Sequence, residues 1–412
     1  MLLRNGRVLN PATGEYTEGD LLAVGGRIAE AGPGLVVPPG ADVRDLRGAF
    51  VLPGLIDAHV HVTAFTANLA AMSVTSPYYI AAQAARIMGG MLDRGFTTVR
   101  DVAGGDHGLA NAQAEGVLRG PRLYFGGRAL SQTGGHGDGR GPGDVSHAHL
   151  AAGVRGDGSP RLSMDCRIAD GVDAVRAAAR DELRTGAHHI KVMASGGVAS
   201  PTDRIDSVQY SMDELCAVVE EAKAANRYVA AHAYTARAVN RAVQAGIRSI
   251  EHGNLIDESS VALLVDRGAY LVPTLVTYWA LKKEGREFGL PEVSWHKVDE
   301  VLDAGLSALE RAHNGGVRLV YGTDLLGGMH RHQSEEFRIR AQVQEPLEVI
   351  RAATTVAADL LGAPGDLGTL AVGAYADAVV LDGDPLTDIG VLADPAAHMP
   401  LVVQNGVVVR SS

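Results

Sequence analysis

The sequence predicts an α/β fold, a (β/α)8 TIM barrel with a small β-sandwich domain built from the N- and C-terminal segments. Three observations lead to this prediction. Eight short apolar runs recur through the middle of the chain, several of them precede stretches with apolar residues at helical spacing, and both ends carry short β-like runs broken by glycine and proline. Alternating strands and helices favour a parallel sheet, and eight such strands can close into a barrel.

The two ends of the chain are predicted as antiparallel β structure, with hairpin turns at Gly25-Gly26 and Asn405-Gly406. Because chain termini often lie close together, we expect 1–52 and 366–412 to form the small domain and 53–365 to form the barrel. The predicted β runs of the ends are 21–32, 42–54, 376–383 and 400–410.

The middle of the chain supplies the predicted βα units. An open doubly wound sheet is the alternative, but that fold is usually marked by a glycine-rich turn after its first strand, and none is present. The glycine-rich segment 134–144 lacks the order of a phosphate-binding loop, so we interpret it as an active-site loop. The strand-like runs are 54–62, 97–102, 122–127, 188–195, 228–234, 248–253, 269–276 and 317–324, and the predicted helices are 171–187, 211–226, 236–246 and 345–361.

Charge and composition exclude several classes of protein. A formal net charge of -11 over 412 residues, with no basic run, disfavours nucleic-acid binding. The only cysteines are Cys166 and Cys216, too few for a disulfide-stabilised secreted domain. Arg4 and Asn5 interrupt any signal-peptide core, and no apolar run is long enough to span a membrane. We therefore expect a soluble, cytoplasmic protein, and a homo-oligomer is possible.

Histidines, a lysine and an aspartate mark the carboxyl ends of these runs. His59 and His61 are two residues apart on a strand, so their side chains leave the same face. Barrel enzymes keep their active sites where strands end. The residues toward the ends of the fourth, fifth, sixth and eighth runs are Lys191, His232, His252 and Asp324.

A metal site would satisfy all of these polar side chains, since burying them unpaired is costly. Imidazole and carboxylate ligands suit Zn²⁺, with Mn²⁺, Fe²⁺ or Co²⁺ also possible. A protonated Lys191 cannot bind a cation, but its neutral amine can take up CO2 and become a carbamate that bridges two metals. The alternative is an unmodified Lys191 paired with a barrel carboxylate.

These histidines, the lysine and the aspartate resemble the metal ligands of the amidohydrolase superfamily, whose binuclear members use His-x-His, a carboxylated lysine, two further histidines and an aspartate. The resemblance covers nearly the whole chain. It implies that His59, His61 and Asp324 hold the more buried ion, that His232 and His252 hold the other, and that N6-carboxylysine at Lys191 bridges them. The segments similar to the branch of Xaa-Pro and Xaa-Arg dipeptidase-like enzymes are DAHVH, HIKVMASGGVASPTDRID, AAHAYT, IEHGNLID, PTLVTY and GTDLLG.

The expected reaction follows from this arrangement of charges. Two cations lower the pKa of a shared water and hold a bridging hydroxide that attacks an amide carbonyl. Asp324 would accept the proton and pass it to the departing amine. The resemblance adds His136 and Tyr234 as donors to the oxyanion.

The resemblance implies that the substrate is a dipeptide with proline or a hydrophobic residue at its C-terminal position. Its carboxylate needs a clamp, for which Arg204, Tyr278 and Arg331 are candidates. The alternatives are a urea, carbamate or N-acyl amide or ester substrate, because fold and metals do not fix the substrate, and a catalytically dead scaffold. A mononuclear deaminase is disfavoured by the lysine at the bridging position. Closeness in the sequence is weak evidence for ligation, so we assign no metal to four further histidines, His188, His189, His330 and His332. The sequence reveals no role for Asp101 and Asp106.

Overall fold

A computed structural model describes residues 1–72, 74–140, 166–200 and 203–411. Residues 141–144 of the predicted glycine-rich loop lie outside the described residues. The strands are β1 (Leu2–Asn10), β2 (Glu15–Val24), β3 (Arg27–Gly32), β4 (Val43–Asp45), β5 (Phe50–Pro53), β6 (Leu55–Val60), β7 (Phe96–Asp101), β8 (Arg122–Phe125), β9 (Leu130–Ser131), β10 (Arg167–Ile168), β11 (His189–Met193), β12 (Tyr228–Thr235), β13 (Ser249–Leu255), β14 (Tyr270–Val272), β15 (Arg318–Leu319), β16 (Ala378–Leu381), β17 (Leu401–Gln404) and β18 (Val407–Ser411).

The helices cover the parallel strands and the mouth of the molecule. They are α1 (Leu69–Met72), α2 (Pro77–Asp93), α3 (His107–Ala114), α4 (Val172–Arg184), α5 (Met212–Ala224), α6 (Ala236–Gln244), α7 (Glu258–Asp266), α8 (Leu275–Glu284), α9 (Glu292–Asn314), α10 (Glu335–Arg340), α11 (Pro346–Ala352), α12 (Thr355–Leu360), α13 (Gly390–Ala393) and α14 (Pro395–His398). Among the described ranges, no helix has both the length and the apolar character that crossing a bilayer requires.

Strands from both ends of the chain form one eight-stranded sheet, which we call the terminal sheet. Its order is β18-β17-β16-β5-β1-β2-β3, with β4 also paired to β1. Val24 pairs with Arg27 and Gln404 with Val407, so both predicted two-residue hairpins are confirmed. The turn residues Gly25, Gly26, Asn405 and Gly406 all have positive φ, as such turns require. The second sheet of a sandwich and the domain boundaries stay predictions.

The middle of the chain forms two parallel sheets. One has the order β6-β7-β8 and the other β10-β9-β11-β12-β13-β14-β15. Two backbone hydrogen bonds link the two sheets, one from Ala58 N of β6 to Tyr321 O just after β15 (2.9 Å) and one from His188 N just before β11 to Phe125 O of β8 (2.8 Å). The predicted α/β class with parallel strands is confirmed, and each of the eight predicted runs contains a strand. The short strands β9 and β10 were missed.

The predicted helix 345–361 is wrong as a single element, because the structure divides it into α11 and α12. Thr354 separates them with non-helical angles, φ −136° and ψ −95°. Its hydroxyl donates to the Ile350 carbonyl at 2.6 Å, and this local bond competes with continuation of the helix. The predicted run 269–276 is likewise a strand only as far as Val272, since α8 begins at Leu275.

The largest group of buried apolar residues lies between the parallel strands and the helices that follow them. Val175 of α4, Leu215 of α5 and Val239 of α6 pack there with Ile190 of β11 and Ile250 of β13, each no more than 1% exposed. Strands packed on both faces are apolar throughout, so the polar residues within them are informative.

Candidate metal centre

His59, His61 and Asp324 meet at the carboxyl end of β6. His61 Nε2 lies 3.0 Å from Asp324 Oδ1, and His59 Nε2 lies 3.4 Å from the same oxygen. One possible ligand atom from each residue falls within 4.8 Å of the others. The structure therefore brings together three of the predicted ligands.

The other ring nitrogen of each of these histidines is already engaged. His59 Nδ1 lies 2.7 Å from Glu251 Oε2, and His61 Nδ1 lies 2.9 Å from the Ala103 carbonyl oxygen. A carbonyl and an ionised carboxylate only accept hydrogen bonds, so each Nδ1 carries a hydrogen, and each ring in its neutral form has its lone pair on Nε2, where a cation could bind. Burial tends to raise the pKa of Asp324, but His59 and His61 lower it well below its ordinary value. Two lone pairs and a carboxylate fit a divalent cation.

The backbone fixes the position of Asp324. Its φ is 54°, a left-handed conformation that aspartate and asparagine adopt more readily than most residues. Its N–H donates to the His59 carbonyl at 2.8 Å, and Thr277 Oγ1 donates to its carbonyl at 2.8 Å. The preceding Thr323 donates its hydroxyl to the buried Asp57 at 2.6 Å. Asp57 thus helps to hold the loop that carries Asp324.

His232 and His252 lie beside this group. The centroid of the His252 ring is 4.7 Å from that of His232 and 5.0 Å from that of His59. His232 Nε2 lies 3.1 Å from the Gly196 carbonyl oxygen, which can only accept, so the free lone pair is on Nδ1. All four predicted histidines and Asp324 therefore line one small volume.

Lys191 of β11 is buried, with 2% of its surface exposed. Burial lowers the pKa of Lys191 to about 8, opposed by the negative charges of Glu251 and Asp324 and assisted by the positive charge of Arg100. In the part of the chain that the structure describes, no carboxylate lies within ion-pair distance of its ammonium group. A lysine with a lowered pKa is more often the neutral amine that carboxylation requires.

A buried ion pair beneath the site was missed in the sequence. Arg100 of β7 donates to both Glu251 oxygens at 2.8 and 2.9 Å, and Ser249 donates to Glu251 at 2.5 Å. Arg100 and Glu251 are fully buried. Glu251 therefore stays ionised and orients His59 by accepting its Nδ1 hydrogen. The sequence signals were a glutamate directly before His252 and an arginine inside an apolar strand.

We expect Glu251→Gln to weaken zinc binding by about 10- to 100-fold, because the neutral amide is a weaker acceptor for His59 and leaves Arg100 unpaired. The measurement is competition with a zinc chelator on the folded protein. Asp377→Asn is the matched control, since Asp377 is also a buried carboxylate paired with an arginine, Arg122, at 2.8 Å, but it directly precedes β16 of the terminal sheet. Unchanged zinc affinity in a folded Glu251→Gln protein would contradict the role given to Glu251.

His136 stacks on His232, with ring centroids 4.2 Å apart and planes inclined by 19°. Its Nδ1 lies 3.0 Å from Ser200 Oγ. The ring also packs on Gly197, where an added Cβ would clash with the imidazole. Only glycine therefore leaves room for His136 in this position.

Lys297 of α9 holds the segment that packs on His136, and the sequence did not reveal it. Its ammonium group donates to the carbonyl oxygens of Gly197 (3.1 Å), Ser200 (2.9 Å) and Asp203 (2.7 Å). Asp203 in turn hydrogen-bonds Ser200, the partner of His136. The ammonium group of Lys297 thus hydrogen-bonds three backbone carbonyl oxygens at the edge of the site.

Tyr234 also reaches the site. Its ring centroid lies 4.7 Å from that of His232 and 5.3 Å from that of His252. Its hydroxyl lies 3.0 Å from the hydroxyl of Tyr278. Burial raises the pKa of Tyr234, so the hydroxyl keeps its hydrogen and remains a donor.

The candidate carboxylate clamps all have other partners. Arg204 is 82% exposed and pairs with Asp206 at 2.9 Å. Arg331 pairs with Glu284 at 2.5 Å. Tyr278 is buried, and its hydroxyl contacts Tyr234. A substrate carboxylate would therefore have to replace the present partner of any of these three side chains.

Two aspartates with no role in the sequence analysis hold loops. Asp101 accepts the N–H groups of Val62 (2.7 Å) and Gly105 (2.8 Å), which fixes the loop after β6. Asp106 caps α3 by accepting the Leu109 N–H at 3.0 Å. The other histidines contact groups outside the cluster: His188 the Phe125 N–H, His189 the Tyr228 ring, His330 the Ala64 carbonyl and His332 the Glu284 carboxylate.

Comparison with known proteins identifies the family. The model of the amidohydrolase family matches residues 50–409. The chain is 36% identical to an ochratoxinase of Aspergillus niger over 361 residues, 84% of this chain and 73% of that protein. It superposes on a prolidase complexed with N-methylphosphonate-L-proline with a TM-score of 0.95 and 49% identity, covering 100% of this chain and 99% of the other. For a Xaa-Pro dipeptidase with bound methionine the TM-score is 0.86 at 28% identity, covering 99% and 98%. The chain therefore belongs to the amidohydrolase family and is a hydrolase that acts on carbon–nitrogen bonds.

Proposed function

We propose that this protein is a dipeptidase that cleaves Xaa-Pro or Xaa-hydrophobic dipeptides, with its active site at the mouth of a (β/α)8 barrel. The convergence of His59, His61 and Asp324 on one small volume carries the proposal. The backbone hydrogen bonds that link the two parallel sheets next to β15 and next to β11 support a closed barrel. The similarity to a prolidase, at 49% identity over the whole chain, supports the substrate class.

Two divalent ions, most simply zinc, fit the donor set. His59, His61 and Asp324 would hold one ion, His232 Nδ1 and His252 the other, and carboxylated Lys191 would bridge them. When bound, such a pair lowers the pKa of a water molecule and polarises an amide carbonyl. The neutral amine favoured at Lys191 by burial is the form that reacts with CO2.

Asp324 moves the proton in this proposal. As a carboxylate it can accept a proton from the attacking water as the new C–O bond forms. The same proton then passes to the departing nitrogen as the C–N bond breaks. The products are a free amino acid and, for a Xaa-Pro substrate, proline with its nitrogen protonated.

His136 and Tyr234 donate to the carbonyl oxygen as negative charge develops on it. The Tyr234 hydroxyl keeps its hydrogen because its pKa is raised by burial. Because the Ser200 hydroxyl gives its only hydrogen to Asp203, His136 Nδ1 donates to Ser200, and His136 would donate through Nε2 only with its ring protonated. The stacking of His136 on His232 keeps this donor next to the ligand shell.

We expect the enzyme to cleave Leu-Pro or Ala-Pro about 10- to 100-fold better, in kcat/KM, than the same peptides as C-terminal amides. Arg204, Tyr278 and Arg331 all have other partners, so no donor for the substrate carboxylate is assigned, but any buried donor that is left without this charged partner costs about 1.5–3 kcal/mol. The assay compares the free acids, the amides, aryl ureas and N-acyl esters with zinc-loaded enzyme. Equal cleavage of acids and amides would remove the carboxylate clamp from the proposal.

A second candidate is hydrolysis of a urea, a carbamate or an N-acyl amide or ester. The 36% identity to an ochratoxinase over most of the chain favours it. The same panel separates the two candidates. Turnover of ureas or esters alone would exclude the dipeptidase while leaving the metal-dependent hydrolase in place.

A further inference from the structure

We propose that Glu336 of α10 caps helix α8 in place of Thr274, and that it thereby leaves the Thr274 hydroxyl to hold His252. Glu336 and Thr274 are then positioning residues that act on His252 and do not touch the substrate. The inference rests on the proposed function, which makes His252 a ligand of the second ion.

The start of α8 does not use the cap that its own sequence offers. Thr274 stands at the N-cap position before Leu275, where a threonine hydroxyl usually accepts an N–H of the first turn. Within the described residues, the Thr274 side chain makes no such hydrogen bond. Its backbone has φ 49° and ψ 45°, a left-handed conformation that β-branched residues avoid, whereas N-cap residues are normally extended. The Thr274 hydroxyl is therefore not the cap of α8.

The Thr274 hydroxyl contacts His252 instead. Thr274 Oγ1 lies 2.8 Å from His252 Nδ1, and the two residues are buried, at 0% and 3% exposure. When Nδ1 donates to this oxygen, the neutral ring has its lone pair on Nε2, where an ion could bind. A hydrogen bond of this kind fixes the orientation of a metal-binding imidazole.

Glu336 supplies the missing cap from another helix. Its Oε2 accepts the N–H of Val276, the second residue of α8, at 2.7 Å. The first N–H groups of a helix have no partner within the helix, and the N–H of the second residue is one that an N-cap side chain commonly binds. Val276 and Glu336 are both fully buried, so this N–H relies on Glu336 for its hydrogen bond.

The two contacts are coupled because Val276 and His252 would otherwise compete for one hydroxyl. Without Glu336, the buried Val276 N–H would be left without an acceptor, which is costly. To cap it, Thr274 would have to exchange its left-handed backbone for the extended one of ordinary N-cap residues. His252 would then lose its partner, and its ring would no longer be fixed for an ion.

The first test measures zinc affinity by chelator competition on folded wild type and three variants of Glu336. Glu336→Leu removes the acceptor, and Glu336→Asp keeps the carboxylate on a side chain too short to reach Val276. We expect both to bind zinc about 10- to 100-fold more weakly. Glu336→Gln keeps an acceptor oxygen at full length and should bind zinc like wild type. Burial raises the pKa of Glu336 to about 8, so near neutral pH the uncharged carboxyl group predominates, and the amide imitates it.

The matched control is Glu182→Asp, which should leave zinc affinity unchanged. Glu182 of α4 is another buried glutamate that accepts a backbone N–H, from Arg128 at 3.2 Å. Circular dichroism confirms that each variant is folded before zinc is added. Weakened binding in Glu336→Gln, or wild-type affinity in folded Glu336→Leu or Glu336→Asp, would overturn the inference.

The second test asks whether Glu336 acts through Thr274. Thr274→Val keeps the branched shape but has no oxygen for His252, so we expect zinc to bind about 10- to 100-fold more weakly, whereas Thr274→Ser should bind it like wild type. Adding Glu336→Asp to Thr274→Val should weaken binding no further, because the hydroxyl is already gone. Losses that multiply in the double variant would overturn the inference. If neither Glu336→Leu nor Glu336→Asp folds, the Thr274 variants decide, and equal zinc affinity in Thr274→Val and Thr274→Ser would overturn it.

Zinc binding and dipeptide hydrolysis by the wild type separate this inference from the proposed function. A wild type that binds zinc but cleaves no dipeptide would overturn the proposed substrate, and the zinc comparisons would still decide the inference. A wild type that binds no zinc would overturn the proposed metal centre and this inference with it.

Discussion

Asp324→Asn should lower kcat by about 10²–10⁴-fold while the protein stays folded. The amide keeps the shape of the side chain but cannot accept a proton from water. The fold should survive because asparagine tolerates the left-handed backbone of this position, where φ is 54°. The Asp324 N–H and carbonyl can keep their bonds to His59 and Thr277.

The measurement is kcat for a Xaa-Pro dipeptide, made on protein whose zinc content has been determined by elemental analysis. Asp106→Asn is the matched control, since asparagine also caps helices and Asp106 caps α3 outside the site. It should turn over normally. Near-normal kcat in fully metallated Asp324→Asn would remove Asp324 from the proton transfer.

Lys191→Ala should abolish activity and reduce the bound zinc below two ions per chain. Without the amine no carbamate forms, and the two cations lose the anion that would lie between them and reduce their repulsion. Zinc content and kcat are measured on the same preparation. Short carboxylic acids such as acetate or propionate should restore part of the activity, because they can occupy the bridging position.

The control for this change is Lys223→Ala, which alters an exposed lysine on α5 and should leave zinc content and kcat unchanged. A crystal structure could contradict the predicted pair of ions bridged by Lys191. Crystals of the wild type grown with ample zinc and bicarbonate that show an unmodified Lys191 and a single ion would exclude the bridged pair.

The parallel strands could be predicted because each one is a short apolar run with its polar residue at the carboxyl end. His232 and Asp324 were found in this way, since a histidine or aspartate at the end of a buried strand is conspicuous. The hairpins at Gly25 and Asn405 could be predicted because two-residue turns require residues that accept positive φ.

The residues that hold the candidate ligands in place could not be predicted, because their partners are far apart in the chain. Nothing in the strand around Arg100 indicates that its partner is Glu251 on β13. Lys297 lies on a helix that reads as an ordinary amphipathic surface, yet its ammonium group binds the segment around Gly197. The Thr274 hydroxyl lies 2.8 Å from His252 Nδ1, but Thr274 stands inside a run predicted to continue as a strand.

The order of strands in the terminal sheet has a consequence for synthesis on the ribosome. β5 lies between β1 and β16, so one of its edges stays open until Ala378–Leu381 have been made. An open edge is a template for pairing with other chains, and long-range strand pairing is slow. Nascent chains that stall before β16 should therefore aggregate or require a chaperone. The terminal sheet can be completed only after all residues before Ala378 have left the exit tunnel.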